Sequence, residues 1–252
     1  ISTMFADRPL LDRIAAAARC GFRGIECQAP YAVPADAFAA QLEAHALEAV
    51  LINVPAGEGA ADRGFAALEG QEEGFAASLE CALAYARTIG CQRIHVLAGC
   101  VAADAASEAA FVANLRRAAA QARKDGVTLL IEPLNAGDNP GYFLRTTSQA
   151  AALLDRIGSD NVRLQFDFYH CQITEGDLAG HAERLFGCYA HVQMAGVPGR
   201  HEPDRGEIHY PYLLHLLDRL GYDGWVGCEY RPVAGTLDGL GWAAPWGIRA
   251  RP

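Results

Sequence analysis

The stretch ARTIGCQRIHVLAG (86–99) runs from the end of an amphipathic helix, through a glycine, into a short strand of apolar and β-branched residues. The same order recurs in AARCGFRGIECQ (17–28), ARKDGVTLLIEPLN (122–135) and DRLGYDGWVGCEY (218–230). Glycine readily adopts the left-handed conformation that closes a helix, so each stretch is typical of a helix that leads directly into a strand. Strands that alternate with helices in this way predict parallel βα units.

Extending this pattern along the chain predicts eight strands. They are expected at 1–5, 24–28, 49–53, 93–98, 128–132, 162–167, 189–194 and 225–229. A doubly wound open sheet usually has fewer strands and often a glycine-rich phosphate loop, but the sequence contains neither GxGxxG nor GxxxxGK. The length of 252 residues suits one (β/α)₈ barrel. We therefore predict an α/β protein with a single TIM-barrel domain over residues 1–252.

The amino-acid composition restricts which binding partners and which cellular compartment we expect. The formal net charge is −9, without a basic stripe, which disfavours a nucleic-acid partner. No apolar run approaches the roughly 18 to 20 residues of a membrane helix, so no membrane partner is expected. The eight cysteines are scattered without a CxxC pair, and no signal sequence is recognised, which favours a cytoplasmic protein with reduced thiols. A homo-oligomer is left open.

Two long segments interrupt the alternation of helices and strands. The segment PAGEGAADRGFAALEG (55–70) follows the third predicted strand, on the side where barrel active sites lie. It is either a lid or an ordinary surface excursion. The segment AGVPGRHEPDRGEIH (195–209) follows the seventh predicted strand and is rich in charged residues and histidine. We expect it to contact the substrate.

The last four predicted strands each end in an oxygen-bearing side chain, namely Glu132, Asp167, Gln193 and Glu229. Burying a carboxylate alone costs several kcal/mol, by order of magnitude, so a cluster of three carboxylates and one amide favours a cation between them. Hard oxygen ligands suit Mg²⁺ or Mn²⁺ better than Zn²⁺. A divalent metal is therefore the expected cofactor.

Several motifs lie at or after the ends of the later predicted strands, namely IEPLN (131–135), QFDFYH (165–170), HVQ (191–193), GRHEP (199–203), GEIHYPYL (206–213) and GWVGCEYRP (224–232). These motifs resemble those of the hydroxypyruvate isomerase family, which belongs to the xylose-isomerase-like TIM barrels. The resemblance extends from Met4 to near Gly241. It implies a metal held by Glu132, Asp167, Gln193 and Glu229, with Glu132 and Glu229 also transferring protons. The family usually has an arginine where this chain has Gln71, which affects the expected substrate contacts.

These groups suggest a mechanism in which a carbonyl moves between adjacent carbons. One carboxylate removes a carbon-bound proton and the other returns a proton to the neighbouring carbon, and Glu132 and Glu229 are the expected pair. A divalent ion would stabilise the enediolate. His170 is expected to donate to a substrate hydroxyl. Arg200 and His201 are expected to hold the substrate carboxylate, because a guanidinium can bind it through two hydrogen bonds.

Each of these assignments has a structural alternative. Glu132 and Glu229 could pair with arginines such as Arg231, and Asp167 could cap a turn. Gln193 could be a satisfied core amide, His170 a structural histidine and Arg200 a solvated loop residue. Glu26 and His95, at the ends of two other predicted strands, have either a structural role or one supporting the site, and His191 is expected to orient its neighbour.

Three classes of function are compatible with this reading. The leading one is an isomerase that interconverts hydroxypyruvate and 2-hydroxy-3-oxopropanoate, a small hydroxy-carbonyl acid. Its variants are a 2-oxo-tetronate isomerase and a ketose 3-epimerase. The second is a metal-dependent phosphodiesterase similar to apurinic endonucleases, which the acidic composition disfavours. The third is a non-catalytic barrel, disfavoured because all four predicted ligands are present.

Overall fold

Seven parallel strands form the sheet, in the order in which they occur along the described part of the chain. The computed structural model describes residues 1–57, 59 and 63–251. The strands are β1 (Gly24–Cys27), β2 (Glu48–Asn53), β3 (Arg93–His95), β4 (Thr128–Ile131), β5 (Val162–Asp167), β6 (Tyr189–Met194) and β7 (Val226–Cys228). Each strand pairs in parallel with the next, and the sheet curls into a nearly closed barrel. The predicted TIM-barrel architecture is confirmed.

Helices cover the outside of the barrel and connect successive strands. Within the described ranges they are α1 (Leu10–Cys20), α2 (Ala35–His45), α3 (Glu72–Ile89), α4 (Ala105–Ala122), α5 (Thr147–Ile157), α6 (Phe168–Thr174), α7 (Leu178–Arg184), α8 (Tyr210–Leu220) and α9 (Thr236–Gly239). Short 3₁₀ turns occupy Arg123–Asp125 and Leu240–Trp246. None of the helices in the described ranges is both long and apolar enough to cross a bilayer.

The helix ends follow the predicted pattern. Gly90 after α3 and Gly221 after α8 have φ values of 70° and 82°, in the left-handed region. At Gly221 the backbone N–H groups of the cap return to carbonyls of the last helical turn, so each chain turns sharply from helix toward strand. The glycines that identify the βα units in the sequence therefore also set the direction in which the chain enters the next strand.

The prediction of a first strand at 1–5 is wrong. Phe5 has φ of 56°, and its N–H donates to the side-chain hydroxyl of Thr236, so the segment turns away from an extended path. Next to it, the N–H of Gln28 donates to the Ser2 hydroxyl rather than to a backbone carbonyl. As a result β1 and β7 are not paired with each other, and a small cleft lined mainly by apolar side chains lies between them.

A small apolar cluster fills the barrel interior. Val50, Leu51 and Leu130 contact one another and are almost completely buried. They belong to β2 and β4, which are not neighbours in the sheet, so they meet across the inside of the barrel. A much larger cluster lies between the sheet and the helices. Leu51 lies beneath the cavity described below, so this interior layer forms the cavity floor.

We expect Leu130→Ala to lower the free energy of unfolding by roughly 2–5 kcal/mol, because it removes a completely buried side chain and leaves a void. Urea unfolding followed by circular dichroism measures this change. Val233→Ala is the matched control, since Val233 is 53% exposed, and its effect should be close to zero. A loss below 1 kcal/mol in Leu130→Ala, on the scale of ordinary surface changes, would contradict the assignment of this layer to the barrel interior.

Candidate active site

A cavity of about 380 Å³ opens at the carboxyl ends of the strands. Barrel enzymes bind their substrates at this end, where the loops that follow the strands meet. Its polar lining includes Glu26, Gln28, Asn53, Arg63, His95, Glu132, Asn139, Gln165, His170, Gln193, Arg200, Glu229 and Arg231. The chemistry of the cavity therefore comes from the strand ends and from the loops after them.

The four predicted metal ligands lie at this end of the barrel. Glu132 directly follows β4, Asp167 ends β5, Gln193 lies in β6 and Glu229 directly follows β7. All four are buried, with exposed fractions of 8% or less. Asp167 and Gln193 are direct partners in the β5–β6 register. Parallel strands that all point to one end of the barrel bring these side chains together, although they are distant in the sequence.

Arg200 extends from the loop after β6 into this carboxylate cluster. Its Nη2 donates to Glu229 Oε2 at 2.6 Å and to Asp167 Oδ2 at 3.5 Å, and its Nε donates to the Glu229 carbonyl at 3.1 Å. The guanidinium also stacks on the Tyr169 ring, 4.9 Å from its centroid. Only 13% of the Arg200 side chain is exposed, so Arg200 is part of the site rather than a solvated loop residue.

The loop around Arg200 is held by its own backbone. The N–H of Gly196 donates to the His201 carbonyl, and the N–H of Glu207 donates to the Val197 carbonyl. Arg200 itself has φ of 58°, and Arg231 N–H donates to its carbonyl at 2.6 Å. These bonds close the segment 195–209 against the residues that follow β7. The predicted substrate-contacting segment therefore contributes one side chain, Arg200, to the cavity lining.

The hydrogen bonds of His170 define which nitrogen carries its proton. The backbone N–H of Asn135 donates to His170 Nδ1 at 3.1 Å, so Nδ1 is the acceptor. Burial is the largest of the effects that lower the pKa of His170, to about 3, and the Arg200 charge adds to it. The ring is therefore neutral, and its Nε2–H lies 3.7 Å from Asp167 Oδ2. This placement allows Nε2 to donate a hydrogen bond in the site.

The three carboxyl groups share one environment in which charge is disfavoured. Burial is the main cause that raises the pKa of Glu229 to about 7; the Arg200 charge opposes it, and repulsion from Asp167 adds to it. Burial, followed by repulsion from Glu229 and Asp167, also raises the pKa of Glu132 well above its ordinary value. Asp167 has a raised pKa because burial outweighs the Arg200 charge. One positive charge does not neutralise three buried carboxylates.

Several residues in the site escaped the sequence interpretation. Gln165 points into the cavity two positions before Asp167, and Gln28, directly after β1, donates through Nε2 to Glu229 Oε1. The alternation of side chains along β5 is a signal that could have identified Gln165. Gln28 had no comparable signal. Arg63 also lines the cavity, whereas Gln71, the position at which the family usually has an arginine, is not part of the lining.

Two other predicted parts of the site are His201 and the segment 55–70. His201 lies at the edge of the cavity, where Nδ1 donates to the Arg231 carbonyl at 2.9 Å, and it does not line the cavity. The segment 55–70, predicted as a lid or a surface excursion, lies partly outside the described residues. In its described part, Gly64 bridges to Ala98, and Asn114 of α4 donates to the Ala66 carbonyl.

The side chains present fit a divalent cation. An oxygen of Glu132 and an oxygen of Asp167 lie within 4.8 Å of each other. Glu132 Oε1 is buried and has no hydrogen-bond partner among the described residues. A buried carboxylate oxygen without a donor is costly unless a cation faces it. Gln193 and Glu229 lie at the same strand ends, and their oxygens are of the hard type that Mg²⁺ or Mn²⁺ would bind.

Comparison with known proteins gives one family over nearly the whole chain. The family model for xylose isomerase-like TIM barrels matches residues 14–246. A 2-oxo-tetronate isomerase from Cupriavidus necator is 49% identical over 250 residues, which cover 98% of this chain and 96% of that protein. A hydroxypyruvate isomerase from Escherichia coli is 41% identical, with 98% and 97% covered.

Among solved structures, one from Brucella melitensis described as an AP endonuclease of family 2 superimposes with a TM-score of 0.94. It is 44% identical, and the match covers 97% of this chain and 96% of that one. Its barrel and that of the present chain therefore share their architecture almost throughout.

The pKa of Glu229 leads to a pH-dependent stability that can be measured on chelator-treated protein. The pKa of the Glu229 carboxyl group is 4.5 in the unfolded chain and about 7 in the folded protein. The free energy of unfolding therefore falls as the pH rises between these two values. We expect the Tm of the wild type, relative to Glu229→Gln, to fall from pH 4.5 to 7 and then level off. A difference that stays constant, or that rises with pH, would contradict the assignment.

Proposed function

Because the chain belongs to the xylose isomerase-like TIM barrel family and is an isomerase, we propose that it moves a carbonyl between C2 and C3 of a small 2-oxo acid. The observation that carries this proposal is the pair of buried carboxyls, Glu132 and Glu229, whose pKa values are raised in a cavity at the strand ends. A carboxyl group that titrates near neutral pH can both accept and donate a proton.

The first candidate substrate is 2-oxo-tetronate, a four-carbon acid. It is favoured by the 49% identity to the Cupriavidus necator relative, which carries that name. The second candidate is hydroxypyruvate, favoured by the Escherichia coli relative and by the motifs GRHEP (199–203) and GWVGCEYRP (224–232). In both acids the carbonyl lies at C2, beside the carboxylate, and C3 carries a hydroxyl. The same pair of proton transfers therefore serves either substrate.

In the proposed reaction, one of the two glutamates removes the proton from C3 while the other returns a proton to C2. Burial and the charge of Glu229 raise the pKa of Glu132, so ionising both glutamates at once is disfavoured. An acid–base pair requires one ionised and one protonated carboxyl group. Gln28 and Arg200 donate to opposite oxygens of Glu229 and so fix the direction in which its carboxyl group faces.

Glu132, Asp167, Gln193 and Glu229 would hold the divalent cation, Mg²⁺ or Mn²⁺. When bound, that ion supplies Lewis-acid stabilisation of the negative charge that develops on the substrate oxygens. Neutral His170 donates from Nε2 to a substrate hydroxyl. Arg200 uses Nε and Nη2 for its hydrogen bonds to Glu229 and Asp167. Its Nη1 group is the one that would bind the substrate carboxylate.

A phosphodiesterase is the competing function, because the Brucella melitensis structure is described as an AP endonuclease. Two features favour the isomerase. The predicted ligand set contains three carboxylates, one amide and no cysteine, which suits hard cations rather than Zn²⁺. The chain also has a formal net charge of −9, which opposes the approach of a phosphate backbone.

We expect Glu132→Gln and Glu229→Gln each to lower kcat at least about 100-fold on 2-oxo-tetronate, because each removes a proton-transferring group. Isomerisation is followed by ¹H NMR in D₂O, where deuterium incorporation at C2 or C3 reports proton transfer directly. Glu48→Gln is the control: Glu48 is exposed at the amino end of β2 and does not line the cavity, and the activity of this variant should stay within a few-fold of the wild type. Chelator should abolish turnover, and Mn²⁺ should restore it.

Parallel assays with hydroxypyruvate separate the two substrates. A higher kcat/KM on the four-carbon acid supports the first candidate, and the reverse order supports the second. No turnover and no deuterium exchange with either acid, in folded and metal-supplemented protein, would overturn the isomerase proposal.

A DNA duplex with a single abasic site is expected to stay intact when incubated with the protein and Mg²⁺, Mn²⁺ or Zn²⁺, because the chain is acidic and lacks a basic stripe. Denaturing gel electrophoresis of an end-labelled strand detects a nick. Metal-dependent nicking that is lost in Glu132→Gln would instead favour the phosphodiesterase.

A further inference from the structure

Three polar side chains lie beside the predicted ligand Gln193 but have no role in the reaction as described so far. They are the partly exposed Glu26 on β1 and the buried Gln165 on β5 and His191 on β6. Gln193 Nε2 donates to Glu26 Oε2 at 2.9 Å, and Gln165 Nε2 donates to Gln193 Oε1 at 2.6 Å. His191 Nε2 contacts Glu26 Oε1. Gln193 is therefore bound on one side by a carboxylate and on the other by an amide nitrogen.

Glu26 lies on β1, which is not a neighbour of β6, the strand that carries Gln193. β6 pairs with β5 and β7, and β7 lies between it and the β1 edge. The carboxylate crosses over Gly227, which is the register partner of Gln193 on β7. Gly227 has no positive φ, yet a Cβ at this position would collide with Glu26 Oε1. The absence of a side chain at 227 is thus what leaves room for the Glu26–Gln193 hydrogen bond.

The direction of this bond fixes the orientation of the amide. A carboxamide has an oxygen that accepts and a nitrogen that donates, and rotation by 180° exchanges them. An ionised carboxylate only accepts, so Gln193 must turn its nitrogen toward Glu26. Its oxygen then faces β5, the strand that ends in Asp167. That oxygen has two lone pairs, of which Gln165 occupies one, and the other is available to a cation.

We propose that Glu26, held by His191, is a positioning residue that makes Gln193 present its oxygen rather than its nitrogen to the cation site. The inference rests on the proposed function, since it concerns a ligand of that site. His191 is completely buried, and Nε2–H donation to Glu26 holds the carboxylate where Gln193 needs it. Without Glu26, the contact with Gln165 does not fix the Gln193 amide, because Gln165 Oε1 has no hydrogen-bond partner in the described structure and the Gln165 amide can rotate to accept from the Gln193 nitrogen. The orientation matters because an amide nitrogen is not a ligand for Mg²⁺ or Mn²⁺.

The test measures Mn²⁺ affinity on metal-stripped protein, with free Mn²⁺ quantified by electron paramagnetic resonance. We expect Glu26→Gln to raise the Kd for Mn²⁺ about 10- to 100-fold, the range typical of residues that orient a ligand. Gly227→Ala should also raise the Kd, because it displaces the carboxylate while leaving every titratable group in place. A pure charge effect of Glu26 would predict little change in Gly227→Ala.

A second background separates orientation from charge. In Gln193→Glu both terminal atoms are oxygens, so no orientation has to be selected. Adding Glu26→Gln in that background should leave the Kd unchanged or lower it, since a repulsion between two carboxylates is removed. An equal loss of affinity in both backgrounds would overturn the proposal. Glu48→Gln, a change to an exposed glutamate at the amino end of β2, should leave the Kd unchanged.

The outcomes distinguish this inference from the function on which it rests. The inference alone would be contradicted if the wild type isomerises the substrate and binds Mn²⁺ and the Glu26→Gln variant binds Mn²⁺ equally well. Wild-type protein that binds no Mn²⁺ would overturn both. Circular dichroism and urea midpoints verify folding, and the Gly227→Ala result decides the matter should Glu26→Gln fail to fold.

Discussion

Three carboxyl groups and one guanidinium are buried together at the open end of the barrel, and the balance of their charges governs the rest of the site. Arg200 pairs with Glu229 and Asp167, whereas Glu132 has an oxygen with no hydrogen-bond partner in the described structure. A cluster of this kind is stable only when its carboxyls are partly protonated or when a further cation joins it. Both responses are useful to an isomerase, which needs an acid, a base and a charge that stabilises an anion.

Burial also keeps His95 and His170 neutral, because it is the largest cause that lowers the pKa of each. His95 Nδ1 lies 3.5 Å from Glu132 Oε2, yet burial, the largest cause, lowers the pKa of His95 to about 3. Neutral rings add no positive charge that would compete with Arg200 or a metal for the carboxylates. They supply directed hydrogen bonds instead, with the tautomer of His170 set by the N–H of Asn135.

Much of this arrangement follows from sequence pattern. Glycines after amphipathic helices identified the βα units, and seven of the eight predicted strands are present. The strand predicted at 1–5 is absent, because its fate depended on the left-handed Phe5 and on a bond to the distant Thr236 hydroxyl, neither of which is visible in a local pattern. The convergence of Glu132, Asp167 and Glu229 was predictable, since parallel strands place their carboxyl ends at one face.

By itself, the sequence determined the barrel and the strand-end positions of the acidic side chains, because both depend on periodicities that are local in the chain. Tertiary structure alone decided which donors those acids meet. Arg200 reaches Glu229 only through the closed path of the loop after β6, and Glu26 reaches Gln193 only because Gly227 leaves space between the strands. Such contacts join residues up to 201 positions apart, as in the bond from Gln28 to Glu229, and their geometry exists only once the barrel has formed.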